Sequence, residues 1–281
     1  MIFCKELNKN FEDKEVMFAE LLANKELIIK EKTSNILKSI DKGIAITSNQ
    51  EAIHKAIETN KELNIDKDFY YFAVNSSNIL DSHGDMHVKG NWDKTVKEQQ
   101  KKTYLVFDHQ LKRSEIIAMK EDIEMITLDI PFSLIGKNYE GNTYVLVYKV
   151  HKDKIRNKEA KELLESGYSF EASVRMQYVK IDLAMDSNLK ENAKEKENFD
   201  KYYSEIANKE DFETLSYFWV IKEAKNVQES SLVMFGSNPA TGLINENKEA
   251  DIITSSNEEP LKDTQENKAS NKVAKRKLSI I

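Results

Sequence analysis

A chain of 281 residues with 40% hydrophobic content can support one sizeable core with appendages, or two small domains. Its 42 lysines and arginines are interleaved with 48 aspartates and glutamates at a net charge of −6, which leaves no basic field to hold nucleic acid, and nucleic acid is set aside as a partner. A single cysteine, Cys4, excludes an internal disulfide framework and a cysteine-based zinc cluster and fits a reducing compartment; the opening Met1-Ile2-Phe3-Cys4-Lys5-Glu6-Leu7 turns charged too soon for a signal peptide or a membrane span.

Residues 1–67 read as a helical N-terminal extension, since Val16, Met17, Ala19, Leu21 and Leu22 recur among lysines and glutamates with almost no glycine or proline. Ser48 stands three residues before Glu51, a capping-box spacing, and Ile53, Ala56 and Ile57 continue it as an apolar stripe, so His54 reads as an ordinary helical residue. From Asp68 the texture changes, and Phe69–Val74 forms an apolar, aromatic run short enough to be a buried strand. Further strands are expected at 104–107, 115–119, 125–130, 144–150, 170–179, 217–221 and 230–235, with helices near 92–100 and 157–166, the latter closed by Gly167. Many short strands with few helices between them predict an α+β domain, 68–244, built on a closed or strongly curved sheet. Residues 182–213 read as a polar, solvated insertion, partly helical through Phe199, Tyr202 and Tyr203. Residues 245–281 hold no aromatic side chain and read as a disordered charged tail ending in Lys275-Arg276-Lys277-Leu278 and a short remainder.

Strand alternation from Phe170 puts Ala172, Val174, Met176 and Tyr178 on one face and Ser173, Arg175 and Gln177 on the other. A serine hydroxyl needs a neighbouring base to become a nucleophile, usually a histidine held in one tautomer by a third group. Of the five histidines, His109 is best placed, because the strand Thr103–Asp108 leads straight to it. His83 and His87 lie in a polar loop, and His151 follows a strand among lysines. Asp81, His83, Asp85 and His87 also offer four metal-ligating side chains in seven residues, which defines a rival metal-dependent reading unless the loop is simply a turn.

Three segments, in order, resemble the prohead (capsid maturation) protease family of tailed phages. They are the loop Asp81-Ser82-His83-Gly84-Asp85-Met86-His87 running on to Trp92, the strand that ends at His109, and the pair Gly167–Val174 with Glu229–Ala240, whose Glu229-Ser230-Ser231-Leu232-Val233 and Asn238-Pro239 are similar to the family's strand and turn. The resemblance spans roughly residues 69–244.

The resemblance implies a small β-barrel flanked by helices, similar to the herpesvirus assembly protease. It implies a serine endopeptidase with Ser173 as nucleophile, His109 as general base and Glu229 as third member, Asp108 and Glu171 being competitors for that last role and Ser169 the alternative nucleophile. No cofactor or metal is required by that chemistry. The implied substrates are the major capsid protein, a scaffold protein and the chain itself, inside the immature capsid in the host cytoplasm. Ser173-Val174-Arg175-Met176 departs from the family's Ser-Ile-Gly-Phe, so Arg175 stands as an oxyanion donor, as a partner for Glu171 or for a substrate carboxylate, or as the sign of a protease fold kept for scaffolding after catalysis is lost.

Overall fold

The computed structural model describes residues 1–37, 66–168, 170–212, 214–234, 238 and 240–243. The helix expected from Ser48 and the tail expected from 245 lie outside these residues.

The stretch 1–67, expected to be helical, opens instead with a hairpin of β1 (Ile2–Cys4) and β2 (Lys9–Phe11), and only then come the helices α1 (Lys14–Ala23) and α2 (Lys25–Ser34). Asp13 caps α1 by accepting a hydrogen bond from the Val16 N–H at 3.0 Å, satisfying one of the free donors of the first turn. Cys4, Phe11, Met17, Phe18, Leu21 and Ile28 are buried in the same apolar cluster as Tyr178, Leu183 and Trp219, so the N-terminal hairpin and helices share one core with the large sheet.

The remaining elements are β3 (Phe69–Ser76), β4 (Asp85–His87), α3 (Asp93–Gln99), β5 (Tyr104–Phe107), β6 (Ile116–Ala118), β7 (Ile123–Pro131), β8 (Asn142–His151), α4 (Lys158–Glu165), β9 (Glu171–Met185), α5 (Ala193–Tyr203), β10 (Tyr217–Val233) and β11 (Gly242–Leu243). Helix α4 opens on Asn157, whose side chain accepts from the Ala160 N–H, and it is closed by Gly167 at φ +79°, the left-handed position a glycine fills at no steric cost. None of the helices among the described residues is long and apolar enough to cross a membrane.

The α+β class holds, with five α-helices among the described residues, but the closed barrel does not. The strands form open sheets. One runs β4-β10-β5-β6 with β9 also on β10, and the other runs β11-β3-β8-β7. Closure would need an edge of one sheet to pair with an edge of the other. Instead Leu37 exchanges backbone hydrogen bonds with the outer edge of β9 at Met176 (2.8 and 3.2 Å), and both sheets contribute side chains to one apolar core. Phe72, Val74, Leu146 and Tyr148 of the second sheet enter the main core, while the alternate residues Tyr71, Ala73, Val145 and Val147 face a second cluster around Phe132 and Ile135.

Two further expectations change in shape. The strands predicted at 217–221 and 230–235 are one continuous β10, because the polar stretch between them is paired rather than looped: Lys222 meets Asp182 and Glu223 meets Lys180 (2.9 Å) across to β9. In the segment 182–213, residues 182–185 complete β9, and α5 lays Phe199 and Tyr202, with Ile206 beyond it, against Phe218 and Val220. The spacing of those apolar residues defines one helical face, which the high lysine and glutamate content around it obscures.

A buried ion pair ties the N-terminal helices to the sheet. Lys32 of α2 lies 2.7 Å from Asp85 of β4, and the Tyr178 hydroxyl donates to the same carboxylate at 3.0 Å. Burial pushes Asp85 up, but the Lys32 and Lys5 charges and the hydrogen bonds from Lys32 and Tyr178 together outweigh it and hold the carboxyl below its ordinary range. Lys32→Ala leaves that carboxylate buried without its cation and is expected to lower unfolding free energy by about 3 kcal/mol in urea titrations. The double variant Lys32→Met with Asp85→Asn is expected to recover most of the loss.

Candidate active site

Strand β5 makes its last ladder contact through the Asp108 N–H to the Leu232 carbonyl at 3.1 Å. The backbone at Asp108 (φ 45°) and at His109 (φ 55°) is left-handed, a conformation that residues with a Cβ adopt only at a cost. Two bonds hold the turn: Gln110 N–H to the Phe107 carbonyl at 2.8 Å, and His109 N–H to Ser231 Oγ at 2.6 Å. The turn sends the imidazole of His109 back across β10 toward β9.

On β10 the register jumps. Asn226 pairs with Met176 and Ser230 with Val174, so residues 227–229 stand against Arg175 alone, with Gln228 at φ 69°. Such a bulge re-aims a side chain. Here it turns Glu229 onto the face that also carries Ser231, while Ser231 is the cross-strand partner of Ser173.

The three predicted site residues therefore meet. His109 Nε2 is 2.9 Å from Ser173 Oγ, and His109 Nδ1 is 2.9 and 3.1 Å from the two oxygens of Glu229. With the ring proton on Nδ1, the imidazole donates to Glu229 and accepts from the serine hydroxyl, which is the arrangement a general base needs. Glu229 has no exposed surface, and Ser173 and His109 are each only 5% exposed. Of the competitors for the third position, Asp108 is exposed in the turn and Glu171 lies 3.8 Å from Lys137. Ser169 lies outside the described residues.

Beside Ser173 is a crevice of about 10 Å³ lined by Val74, Asn75, Ala172, Val174, Met176 and Asn238, room for about one water. Asn238 shapes its edge by donating to the Ser76 carbonyl at 2.8 Å while accepting from the Ala240 N–H at 2.9 Å. Arg175 forms no ion pair with any described residue, Glu171 included, and its Nε is buried without an acceptor among them.

Residues that the sequence did not single out also contribute. Ser231 anchors the His109 backbone; the alternation Glu229, Ser231 on one strand, read forward from the glutamate, was the available signal. Asn238 had its Asn-Pro context but no sign of the bonds it makes.

The loop Asp81–His87 is built as a turn. One Asp81 oxygen accepts from the His83 and Asp85 N–H groups at 2.8 and 2.9 Å, and Gly84 (φ 68°) closes the turn onto the Asp81 carbonyl. Asp85 is taken by Lys32 and Tyr178, and His87 Nδ1 meets Asn91 Nδ2 at 2.7 Å with the ring stacked on Trp92. Among the described residues no three such side chains converge as a metal ion would require.

Comparison of the chain with protein-family models, with curated proteins and with solved structures gave no match in any of the three.

His87 gives the loop a pH dependence. Burial pulls its imidazole down to about 4, against the opposing charge of Asp85, from 6.5 in the unfolded chain. At pH values above 6.5 both states hold a neutral ring. As pH falls from there to 4 the unfolded chain takes up a proton that the folded one does not, so stability is lost in that window. Burial and the Asp85 charge push Asp81 the other way, to about 6, which gives a contribution lost as pH rises through that value. Comparison with His87→Gln isolates the histidine: the wild-type minus variant difference in unfolding free energy is expected to fall by up to about 3 kcal/mol between pH 7 and pH 4.

Proposed function

We propose that the chain is a serine endopeptidase in which His109 takes the Ser173 hydroxyl proton, Ser173 Oγ attacks the scissile carbonyl carbon, and the acyl-enzyme is released by water with His109 again as base. The observation that carries this reading is the uninterrupted line Glu229–His109–Ser173 at hydrogen-bond distance in a buried site. Glu229 orients the imidazole and stabilises its protonated form after proton transfer. The departing amine takes the proton from His109 Nε2 as the carbon–nitrogen bond breaks.

Arg175 stands two residues beyond Ser173 on the same strand face, with its guanidinium in no ion pair among the described residues. That suits it to stabilise the negative oxygen of the tetrahedral intermediate, since a preorganised cation in a dry site is worth most where charge develops. The biological setting rests on the resemblance of the ordered segments to prohead proteases. On that reading the substrates are the major capsid protein or a scaffold protein and the chain itself, cleaved inside the immature capsid in the host cytoplasm.

A second reading has its own support. The crevice at Ser173 has room for about one water and not for a peptide, as expected of a protease fold retained as a capsid-assembly or scaffolding protein. A fluorophosphonate probe separates the two. The active protein is expected to form a covalent adduct at Ser173 by peptide mass mapping, and Ser173→Ala to lose both the adduct and the processing of a co-expressed capsid protein. Glu229→Gln is expected to lower kcat by about 10³- to 10⁴-fold with little change in KM. Absence of the adduct in a folded protein overturns the protease reading and leaves the assembly role.

A further inference from the structure

A cavity of about 320 Å³ opens at the end of β5, β9 and β10, under helix α4. Its walls are of two kinds. Phe107, Leu163 and Phe170 give an apolar floor, while Asp108, Glu115 and Glu159 supply three carboxylates. Among the described residues no lysine or arginine lines it, and none of these carboxylates is in an ion pair with one of them. The fitting occupant carries several positive charges next to several aliphatic groups.

We propose that this cavity is a docking site for the chain's own segment Lys275–Ile281. Lys275, Arg276 and Lys277 are joined directly to Leu278, Ser279, Ile280 and Ile281, so three cations and three aliphatic side chains fall within seven residues. The charges match the three carboxylates and the aliphatic groups match the apolar floor. The 31 residues between Leu243 and Lys275 reach as far as about 100 Å when extended, so distance is no bar to docking within one molecule.

The cavity stands beside the catalytic residues without overlapping them. Leu232 and Phe107, which are cross-strand partners, lie on the opposite sheet face from Ser231 and Ser173. Phe170 is nevertheless only three residues from Ser173, at most about 10 Å along the chain. A docked segment does not cover the serine and brings the preceding part of the tail close to it.

The test uses a fluorescein-labelled peptide of residues 271–281 and the full-length chain carrying Ser173→Ala, so that binding is read without hydrolysis and independently of the protease reading. Lys275→Glu, Arg276→Glu and Lys277→Glu in the same chain remove competition from its own segment. Fluorescence anisotropy is expected to give saturable binding with Kd on the order of 10 µM. Adding Glu159→Lys, an exposed position on α4, is expected to weaken it at least about tenfold with an unchanged circular dichroism spectrum. No saturable binding, or binding indifferent to Glu159→Lys and to Glu115→Lys, overturns the proposal.

Discussion

A carboxylate without exposed surface is expensive unless it has partners, and Glu229 is such a group. Its charge is met by His109 Nδ1, and that contact exists only because three separate backbone features agree. The bulge in β10 turns Glu229 to the right face, the left-handed turn after β5 carries the imidazole across β10, and the pairing of Ser231 with Ser173 sets the serine on the far side at the same level. Backbone strain at Asp108, His109 and Gln228 is concentrated around these side chains. The surrounding sheet, where β10 is held by β4 and β5 on one edge and β9 along the other, is what over-determines those strained positions.

The N-terminal helices support the same sheet. Lys32 neutralises Asp85 on β4, and Cys4, Phe11, Phe18 and Leu21 fill the core beneath β9 and β10. Asp85, Asp81 and His87 are buried polar residues in a fold that also buries Glu229, His109 and Ser173, yet the two groups differ in kind. The first set is committed to a turn, a cation and an asparagine, and those contacts shape the loop. The second set ends on a hydroxyl whose proton can be moved.

Alternation in Phe170–Tyr178 and the apolar strand running up to His109 marked Ser173 and His109 as candidates, because period-two patterning and strand ends survive in a single sequence, but it was the resemblance to prohead proteases that named them together with Glu229. The strands named from the sequence obeyed the same signal, with β5 agreeing residue for residue, whereas β1 and β2 fall in the stretch expected to be helical and β4 in the loop Asp81–His87. The continuous β10 did not emerge from it, since Lys222, Glu223 and Lys225 look like a loop until Asp182 and Lys180 are seen across the ladder. The apolar face of α5 was hidden for a related reason: its lysines and glutamates dominate the composition, while the face depends on a few widely spaced positions.

The sequence by itself therefore determined the chemical types available and the strand faces, and its resemblance to prohead proteases named the three side chains to be tested together. Tertiary structure alone decided that the sheets stay open, that Glu229 rather than Asp108 or Glu171 reaches the histidine, and that Ser231 holds the His109 turn. The reason is physical. Side-chain periodicity is a local property written in neighbouring residues, whereas sheet closure, a bulge's register and a left-handed turn's direction depend on which distant strand takes each backbone hydrogen bond.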